Sequence, residues 1–142
     1  MSYDYFISSR YRNKEQVLSL ANKIREQGKT VYCFIESGAS TKNVGSVESD
    51  PDEAMKQFEA IENWQTDPRV RDVFDTDMQA LRASTNLILL LPAGKSAHIE
   101  AGTGYGMGKH LIVIGEQKET ESLYLIFDEF YDNIDEFINS IK

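Results

Sequence analysis

The run Asn86 to Leu91 (NLILLL) restricts the fold most, because its centre is entirely apolar. A strand that exposes neither face to water is typical of the middle of a parallel sheet, with helices covering both sides. Parallel neighbours need crossover connections, which are usually helical and right-handed. The run therefore predicts an α/β chain in which strands alternate with helices.

Hydrophobic periodicity along the rest of the chain agrees with this architecture. Apolar residues recur at helical spacing from about Asn13 to Gln27, with Asn13 as a candidate N-cap and Gly28 as a stop signal. The predicted strands are 3–8, 30–35, 86–91, 111–115 and 123–127. The predicted helices are about 13–27, 55–64, 70–82, 96–108 and 131–141. We expect a three-layer α/β fold, Rossmann- or flavodoxin-like, with a mainly parallel five-stranded sheet.

Composition bounds the class of protein. With 142 residues and 41% hydrophobic side chains the chain can form one core, so we expect a single domain over 1–142. There are 15 Lys and Arg against 23 Asp and Glu, a net charge of -8. This balance argues against binding to polymeric nucleic acid or to an anionic membrane. It is compatible with a small phosphorylated ligand, because backbone amides and one Arg can hold a phosphate.

Further signals concern cofactors and location. The single Cys33 excludes an internal disulfide and a cysteine-rich zinc site, and His98 and His110 are isolated from any metal-ligand pattern. We expect neither a metal nor a cofactor. No apolar run reaches the roughly 20 residues of a membrane span, and the first residues lack the pattern of a signal peptide. The expected location is cytoplasmic.

The segment 36–53 (ESGASTKNVGSVESDPDE) is rich in Gly, Ser and acidic residues and almost free of large apolar side chains. A loop this long within a small domain is usually a mobile lid or a disordered segment, and the sequence leaves both open. Beyond it, Trp64 and Phe58 could stack on a bound base, although packing in the core is the commoner use of such residues.

Two glycine patterns resemble phosphate-binding motifs without fitting them. Gly94-Lys95-Ser96 ends like a P-loop, but Leu89 stands where that pattern requires glycine. The glycines at 102, 104, 106 and 108 alternate instead of following G-x-G-x-x-G, and they lie a helical turn past the strand. We expect them to let this helix pack closely on the sheet, since each costs about 1 kcal/mol in helix propensity relative to Ala.

Glu100 is the most informative candidate for chemistry. Ligands of parallel α/β sheets bind beyond the carboxyl ends of the strands, which points to the loops at 8–12, 36–53 and 92–99. After the apolar strand a helix begins near Ser96, and its first amides are free to hold an anion. Glu100 lies four residues later, on about the same helical face. A carboxylate there can act as a nucleophile or can simply complement the helix dipole.

Two other residues could converge on the same crevice. Tyr5 lies within the first strand, and Asp77 lies on the helix that leads into the third strand. One would orient a carboxylate and the other would meet a leaving group. Asp75 is a rival of Asp77, because a two-residue error in the alignment would exchange them.

These motifs resemble the nucleoside 2-deoxyribosyltransferase-like family, which includes deoxynucleoside 5′-monophosphate N-glycosidases. The resemblance covers nearly the whole chain, through YFISSRYRN at 5–13, D-x-x-x-L at 77–81 and PAGKSAHIEAGTGYGMGK at 92–109. The last segment is the most specific, being similar to the family's Gly/Ser loop and the helix that follows it. The resemblance implies cleavage or transfer of the N-glycosidic bond of a (deoxy)nucleoside or nucleoside 5′-monophosphate. It also implies a homodimer or a higher homo-oligomer.

The resemblance further implies roles for individual residues. Glu100 is the nucleophile that attacks the anomeric carbon, Tyr5 holds it, and Asp77 lies near the sugar and the departing base. A carboxylate suits the oxocarbenium-like centre of glycosidic cleavage, and a proton donor suits the leaving base. The implied substrate contacts, including those to a 5′-phosphate, are Phe6, Ser8, Ser9, Arg10, Gly94, Ser96, Ala97 and, at the mouth of the site, His98, which could equally be a solvated residue.

Two departures from the family pattern matter. Ser84-Thr85-Asn86 stands where many members have an acidic residue, and Gly94 stands where transferases often place an aspartate. These changes weaken base exchange more than phosphate-directed hydrolysis, because Gly and Ser suit a phosphate cradle. Two alternatives stay open: a non-catalytic nucleotide-binding or sensing module, and a glycohydrolase of NAD or ADP-ribose-type nucleotides.

Overall fold

Apolar strands form a parallel sheet at the centre of the molecule. In a computed structural model, which describes residues 2–37 and 51–142, five strands pair in the order β2-β1-β3-β4-β5, and each pairing is parallel. The strands are β1 (Tyr3–Ser8), β2 (Val31–Cys33), β3 (Ser84–Leu90), β4 (His110–Ile114) and β5 (Glu129–Tyr131). Leu87, Ile88 and Leu89 in the predicted central strand are completely buried, which confirms that both faces of β3 are covered.

Helices lie on both faces of this sheet. They are α1 (Lys14–Glu26), α2 (Phe34–Ser37), α3 (Pro51–Glu59), α4 (Pro68–Arg82), α5 (Lys95–Gly106) and α6 (Ile134–Ser140), with 3-10 turns at Tyr11–Asn13, Trp64–Thr66 and Ser122–Ile126. Within the described ranges, every helix is too short or too polar to cross a membrane. Of the segment 36–53 that the sequence predicts as a loop, residues 38–50 lie outside the described residues, and 51–53 belong to α3.

The sheet separates two cores, because successive side chains of a strand point to opposite faces. On one face Ile7 and Ile88 pack with Val17 of α1 and Phe137 of α6. On the other face Phe6 and Leu87 belong to a core with residues of α4 and α5. The three-layer α/β prediction is therefore confirmed.

Gly104 explains how closely α5 approaches the sheet. A Cβ atom there would lie 3.2 Å from Leu111 Cδ2 and 3.3 Å from Leu87 Cδ1. Gly102 and Gly106 have open space where a Cβ would be, and Gly108 follows the helix with a φ of +77°. Close packing is thus confirmed for Gly104 alone among the predicted glycines.

The fifth strand differs from its predicted position. The segment predicted as a strand at 123–127 forms the 3-10 turn Ser122–Ile126, and β5 follows at Glu129–Tyr131. The Glu121 carboxylate accepts a hydrogen bond from the backbone N–H of Leu123 and so caps this turn. Leu123 and Leu125 point into solvent, 72% and 82% exposed. The prediction of a strand at 123–127 is therefore wrong, because a short apolar run alone does not identify a buried strand.

The ends of two helices test the predicted capping. Asp67 caps α4 by accepting a hydrogen bond from Arg69 N–H, with Pro68 in the first turn. Asn13 does not cap α1 through its side chain. Its amide instead donates to Ser9 Oγ at 3.3 Å, so the predicted N-cap is corrected to a contact with the loop after β1.

Candidate active site

A hydrogen bond between β1 and α5 fixes the position of Glu100. Ser8 is the last residue of β1 and is completely buried. Its Oγ donates to Glu100 Oε1 at 2.6 Å and also lies 3.2 Å from the Ala97 carbonyl oxygen. Because strand alternation turns Ser8 to the same face as Phe6, the contact forms on the side of the sheet that α5 covers. Glu100 is thereby held at the carboxyl end of β1.

A second hydrogen bond positions Asp77. The Tyr32 hydroxyl, from β2, donates to Asp77 Oδ1 at 3.0 Å. Asp77 lies on α4, which packs on the same face of the sheet as α5, and its charge acts on Glu100. The structure therefore brings the two predicted carboxyl groups into one cluster with Ser8 and Tyr32.

The two carboxyl groups differ in acidity. Burial raises the pKa of Asp77 to about 6, although the hydrogen bond from Tyr32 acts in the opposite direction. Burial, and then the charge of Asp77, raise the pKa of Glu100 to about 8 against the effect of the Ser8 hydrogen bond. Two coupled carboxyl groups of this kind titrate as a pair. Both carboxyl groups therefore hold their protons to higher pH than an exposed carboxyl group does.

The surroundings of Glu100 favour its neutral form. Although the residue lies in the first half of α5, protein atoms and the charge of a second carboxyl group act on it. Desolvation of a carboxylate outweighs the modest attraction of a helix dipole. Burial and the charge of Asp77 therefore both favour the protonated form of Glu100.

Asp77, and not Asp75, joins this cluster. Asp75 lies near the surface and pairs with Arg71 one helical turn away, at 3.2 Å. Residues two apart on a helix point in different directions, so only one of the two can face the sheet. Of the two residues, only Asp77 therefore belongs to the cluster with Ser8 and Tyr32.

Tyr5 lies apart from Glu100. It points to the α1 and α6 face of the sheet, where its ring meets Phe137 edge-on at 5.6 Å between centroids. Ser8, on the opposite face, makes the hydrogen bond to Glu100 that the resemblance implied for Tyr5. The expected contact between Tyr5 and Glu100 is therefore corrected, since neighbouring odd and even positions of β1 face opposite cores.

Three predicted substrate contacts, Phe6 within β1 and Ser9 and Arg10 in the loop after it, differ in access. Phe6 is only 1% exposed and stacks on Tyr32, so a bound molecule cannot reach its ring. Ser9 is buried, and its hydroxyl donates to the Leu90 carbonyl oxygen at 2.8 Å, which ties the ends of β1 and β3 together. Arg10 is exposed at this edge of the sheet.

The loop after β3 leads directly into α5. Gly94 precedes the helix in an extended conformation and carries no side chain to cap it. The first amides of a helix lack intrahelical partners, so those of Lys95, Ser96 and Ala97 can bind an anion. The Ala97 side chain is completely buried and the Ser96 side chain is exposed. Both residues therefore offer backbone N–H groups at the predicted position.

His98 is more constrained than a solvated residue. Its Nδ1 lies 2.7 Å from the Gly94 carbonyl oxygen, and its Nε2 lies 2.6 Å from the Tyr124 hydroxyl. A carbonyl oxygen only accepts, so Nδ1 carries a proton, and Nε2 of the neutral ring accepts from Tyr124. His98 thus links the loop before α5 to the turn at 122–126.

Remaining candidates lie outside the cluster. Trp64 is 58% exposed, which corrects the preferred assignment of its ring to the core. The His110 ring contacts the carboxylates of Asp128 and Glu129 at the edge of the sheet. Among residues 2–37 and 51–142, no group of three or more His, Cys, Asp and Glu side chains is arranged to hold a metal ion.

Sequence reasoning missed Tyr32 and Tyr124. Tyr32 lies in the predicted strand TVYCFI, where a polar-tipped ring between Val31 and Cys33 could have indicated a buried hydrogen bond. Tyr124 lies in the segment assigned to the wrong element, so its partner His98 could not be inferred.

Comparisons with known proteins identify solved structures that share the fold of this chain. No protein-family model matches the chain, and no curated protein matches it in sequence. A 2-deoxyribosyltransferase from Bacillus psychrosaccharolyticus superposes with a TM-score of 0.68 at 12% identity, over 95% of this chain and 90% of that one. The CMP N-glycosidase BcmB from Clostridium botulinum superposes with a TM-score of 0.52 at 17% identity, over 96% of both chains. The chain therefore shares the fold of these two enzymes.

Proposed function

We propose that this protein cleaves or transfers the N-glycosidic bond of a (deoxy)nucleoside or nucleoside 5′-monophosphate, with Glu100 as the nucleophile. The observation that carries the proposal is the cluster at the carboxyl end of the sheet, in which Ser8 bonds Glu100, Tyr32 bonds Asp77 and the charge of Asp77 acts on Glu100. The similar fold of a deoxyribosyltransferase and of a CMP N-glycosidase supports the choice of substrate class.

In this mechanism one proton moves twice, from Glu100 to Asp77 and then from Asp77 to the leaving base. Asp77 first takes the proton of Glu100, which leaves a carboxylate oxygen free to attack the anomeric carbon. As the bond from carbon to the base nitrogen breaks, Asp77 returns the proton to the leaving base. The glycosyl ester on Glu100 is then opened by water, or by a second base, as Asp77 accepts the proton of the incoming group. Ser8 stabilises the Glu100 carboxylate through the bond that it already donates.

A 5′-phosphate would bind where the two loops meet. The free amides at the start of α5, together with the exposed Arg10, supply donors and a positive charge there. His98 borders this loop through its bond to the Gly94 carbonyl oxygen. We therefore expect a monophosphate to bind more tightly than the matching nucleoside.

The test is a panel of nucleosides, their 5′-monophosphates and NAD, incubated with the protein and analysed by chromatography for free base. We expect base release from at least one nucleoside or monophosphate. Thermal stabilisation by a nucleotide without release of base would instead support a non-catalytic binding module, the alternative favoured by the protonated state of Glu100. Release of nicotinamide alone would indicate a glycohydrolase of NAD-type nucleotides.

We also propose that the protein forms a homodimer through α5. Ile99 and Tyr105 of this helix are 66% and 59% exposed. Between positions 96 and 108 the only charged side chain is Glu100, which faces the site. In a chain with a net charge of -8, two copies repel each other least where their surfaces are apolar and uncharged. Light scattering after gel filtration measures the assembly directly.

A further inference from the structure

Tyr32 contacts Asp77, yet it has no assigned part in the proposed chemistry. It lies at the centre of β2, and it faces the α4 and α5 side of the sheet while Val31 and Cys33 face the other core. Only 6% of Tyr32 is exposed. A tyrosine buried to this degree places its hydroxyl according to the packing of its ring.

Two aromatic neighbours fix the plane of that ring. Phe6 is its register partner on β1, and the two rings stack at 5.3 Å between centroids with 9° between their planes. Tyr3 meets Tyr32 edge-on at 5.6 Å and 71°. Because the ring is packed on two sides, the position of its hydroxyl is fixed, 3.0 Å from Asp77 Oδ1. Phe6 therefore helps to hold the Tyr32 ring in place, although Phe6 itself is buried and cannot contact a substrate.

The Tyr32 hydroxyl donates its proton to Asp77, and the Ser37 side chain on α2 acts on the same hydroxyl. Burial and the Asp77 charge raise the pKa of Tyr32, so the phenol stays protonated and remains a donor at any pH of interest. A hydroxyl that stays protonated and donates a hydrogen bond to a carboxylate stabilises the ionised form of that carboxylate.

We propose that Tyr32 is the positioning residue of Asp77: it occupies Oδ1, so that Oδ2 alone exchanges the proton with Glu100 and with the leaving base. This inference rests on the proposed function. By stabilising the ionised form of Asp77, the bond prepares that carboxylate to receive the Glu100 proton before attack. Without the bond, Asp77 would hold its own proton more tightly, and the pair would become doubly protonated at higher pH.

The substitution Tyr32→Phe tests this role, because it keeps the ring and removes only the hydroxyl. The pH profile of kcat/KM should be bell-shaped, and its acid limb should move upward by roughly half a unit to one unit in the variant. Activity at pH 5.5 then falls roughly three- to tenfold more than activity at pH 7.5. Replacement of Tyr32 by 3-fluorotyrosine, whose hydroxyl is a stronger donor, should move the same limb downward.

A matched control exists on the other face of the sheet. Tyr131 also donates its hydroxyl proton to a carboxylate, that of Glu129, but it packs on Phe137 away from the site. Tyr131→Phe removes the same kind of bond and should leave the pH profile of kcat/KM unchanged. An equal shift in both variants would mean that loss of any buried hydroxyl alters activity, and it would overturn the proposal.

A readout without turnover separates this inference from the proposed function. With ¹³C-labelled aspartate, NMR titration follows the Asp77 carboxyl carbon directly, and Tyr32→Phe should raise the pKa of that carboxyl. If the wild type releases no base from any compound while this titration still shifts, the proposed function fails and the positioning role stands. If base is released but Tyr32→Phe changes neither the titration of Asp77 nor the acid limb, Tyr32 is only a packing residue.

Discussion

Glu100→Gln should make the protein more stable at alkaline pH while abolishing its activity. Burial and the charge of Asp77 raise the pKa of Glu100 from its ordinary 4.5 to about 8 in the folded state. Because the folded value exceeds the unfolded one, the folded state gains stability from the protonated carboxyl that is complete below pH 4.5. That stability is lost as the pH rises through 8.

The size of the effect follows from the same difference. If the whole difference acts on folding, the ionised Glu100 costs the folded state about 5 kcal/mol at high pH. The Glu100 side chain keeps some contact with solvent, and water screens a partly exposed charge, so we expect about half of this, ~2–3 kcal/mol. Gln cannot ionise, and its carbonyl oxygen can still accept the Ser8 hydrogen bond. The variant therefore does not lose the folding free energy that an ionised, buried Glu100 costs the wild type at high pH.

The assay is urea unfolding of wild type and variant at pH 5 and pH 8.5, followed by circular dichroism. The free energy of unfolding of Glu100→Gln relative to wild type should rise by ~2–3 kcal/mol between these pH values. Glu116→Gln, at an exposed position, serves as the control and should show the same difference from wild type at both. A Glu100→Gln difference that stays constant, or that shrinks as pH rises, would refute the burial of a neutral Glu100.

Four further outcomes follow from the site and its surroundings. Asp77→Asn should lower kcat at least roughly a hundredfold and remove the acid limb of the pH profile, as stopped-time chromatography would show. Ser8→Ala should lower kcat/KM roughly tenfold with the fold intact by circular dichroism, since Glu100 loses its only donor seen among the described residues. Gly102→Ala should raise the free energy of unfolding by about 0.5–1 kcal/mol, because the added methyl group has open space. Gly104→Ala should raise the free energy of unfolding by less, because its methyl group would press against buried leucines. Tyr105→Glu should convert the dimer to a monomer in light scattering, because a charge then enters the apolar face.

Much of the fold could be predicted because its signals are local. The apolar run of β3 indicated coverage on both faces, and the helical spacing at 13–27 and 70–82 predicted helices that the structure confirms. The segment at 123–127 failed because a short apolar run has the same composition in a strand and in a 3-10 turn. Only its neighbours in space, such as His98 beside Tyr124, distinguish the two.

Candidate site residues could be named from the sequence, but their contacts could not. Glu100 and Asp77 were found through motif and resemblance, and the structure brings them together. Alternate residues of β1 face opposite sides of the sheet, and only those on the α5 side can contact Glu100. Ser8 lies on that side and Tyr5 on the other, so the predicted contact of Tyr5 is wrong. The acidity of Glu100 depends on how many protein atoms surround it, which is a property of packing and cannot be read from its position on a helix.

Glu100 as the nucleophile is the central claim, and a single-turnover experiment tests it most directly. Enzyme and a substrate found in the panel are mixed in equal amounts, quenched at intervals and analysed for free base and for intact protein mass. The wild type should release base and gain the mass of the glycosyl group on the peptide that contains Glu100, while Glu100→Gln should do neither. Release of base by Glu100→Gln at the wild-type rate would contradict the claim.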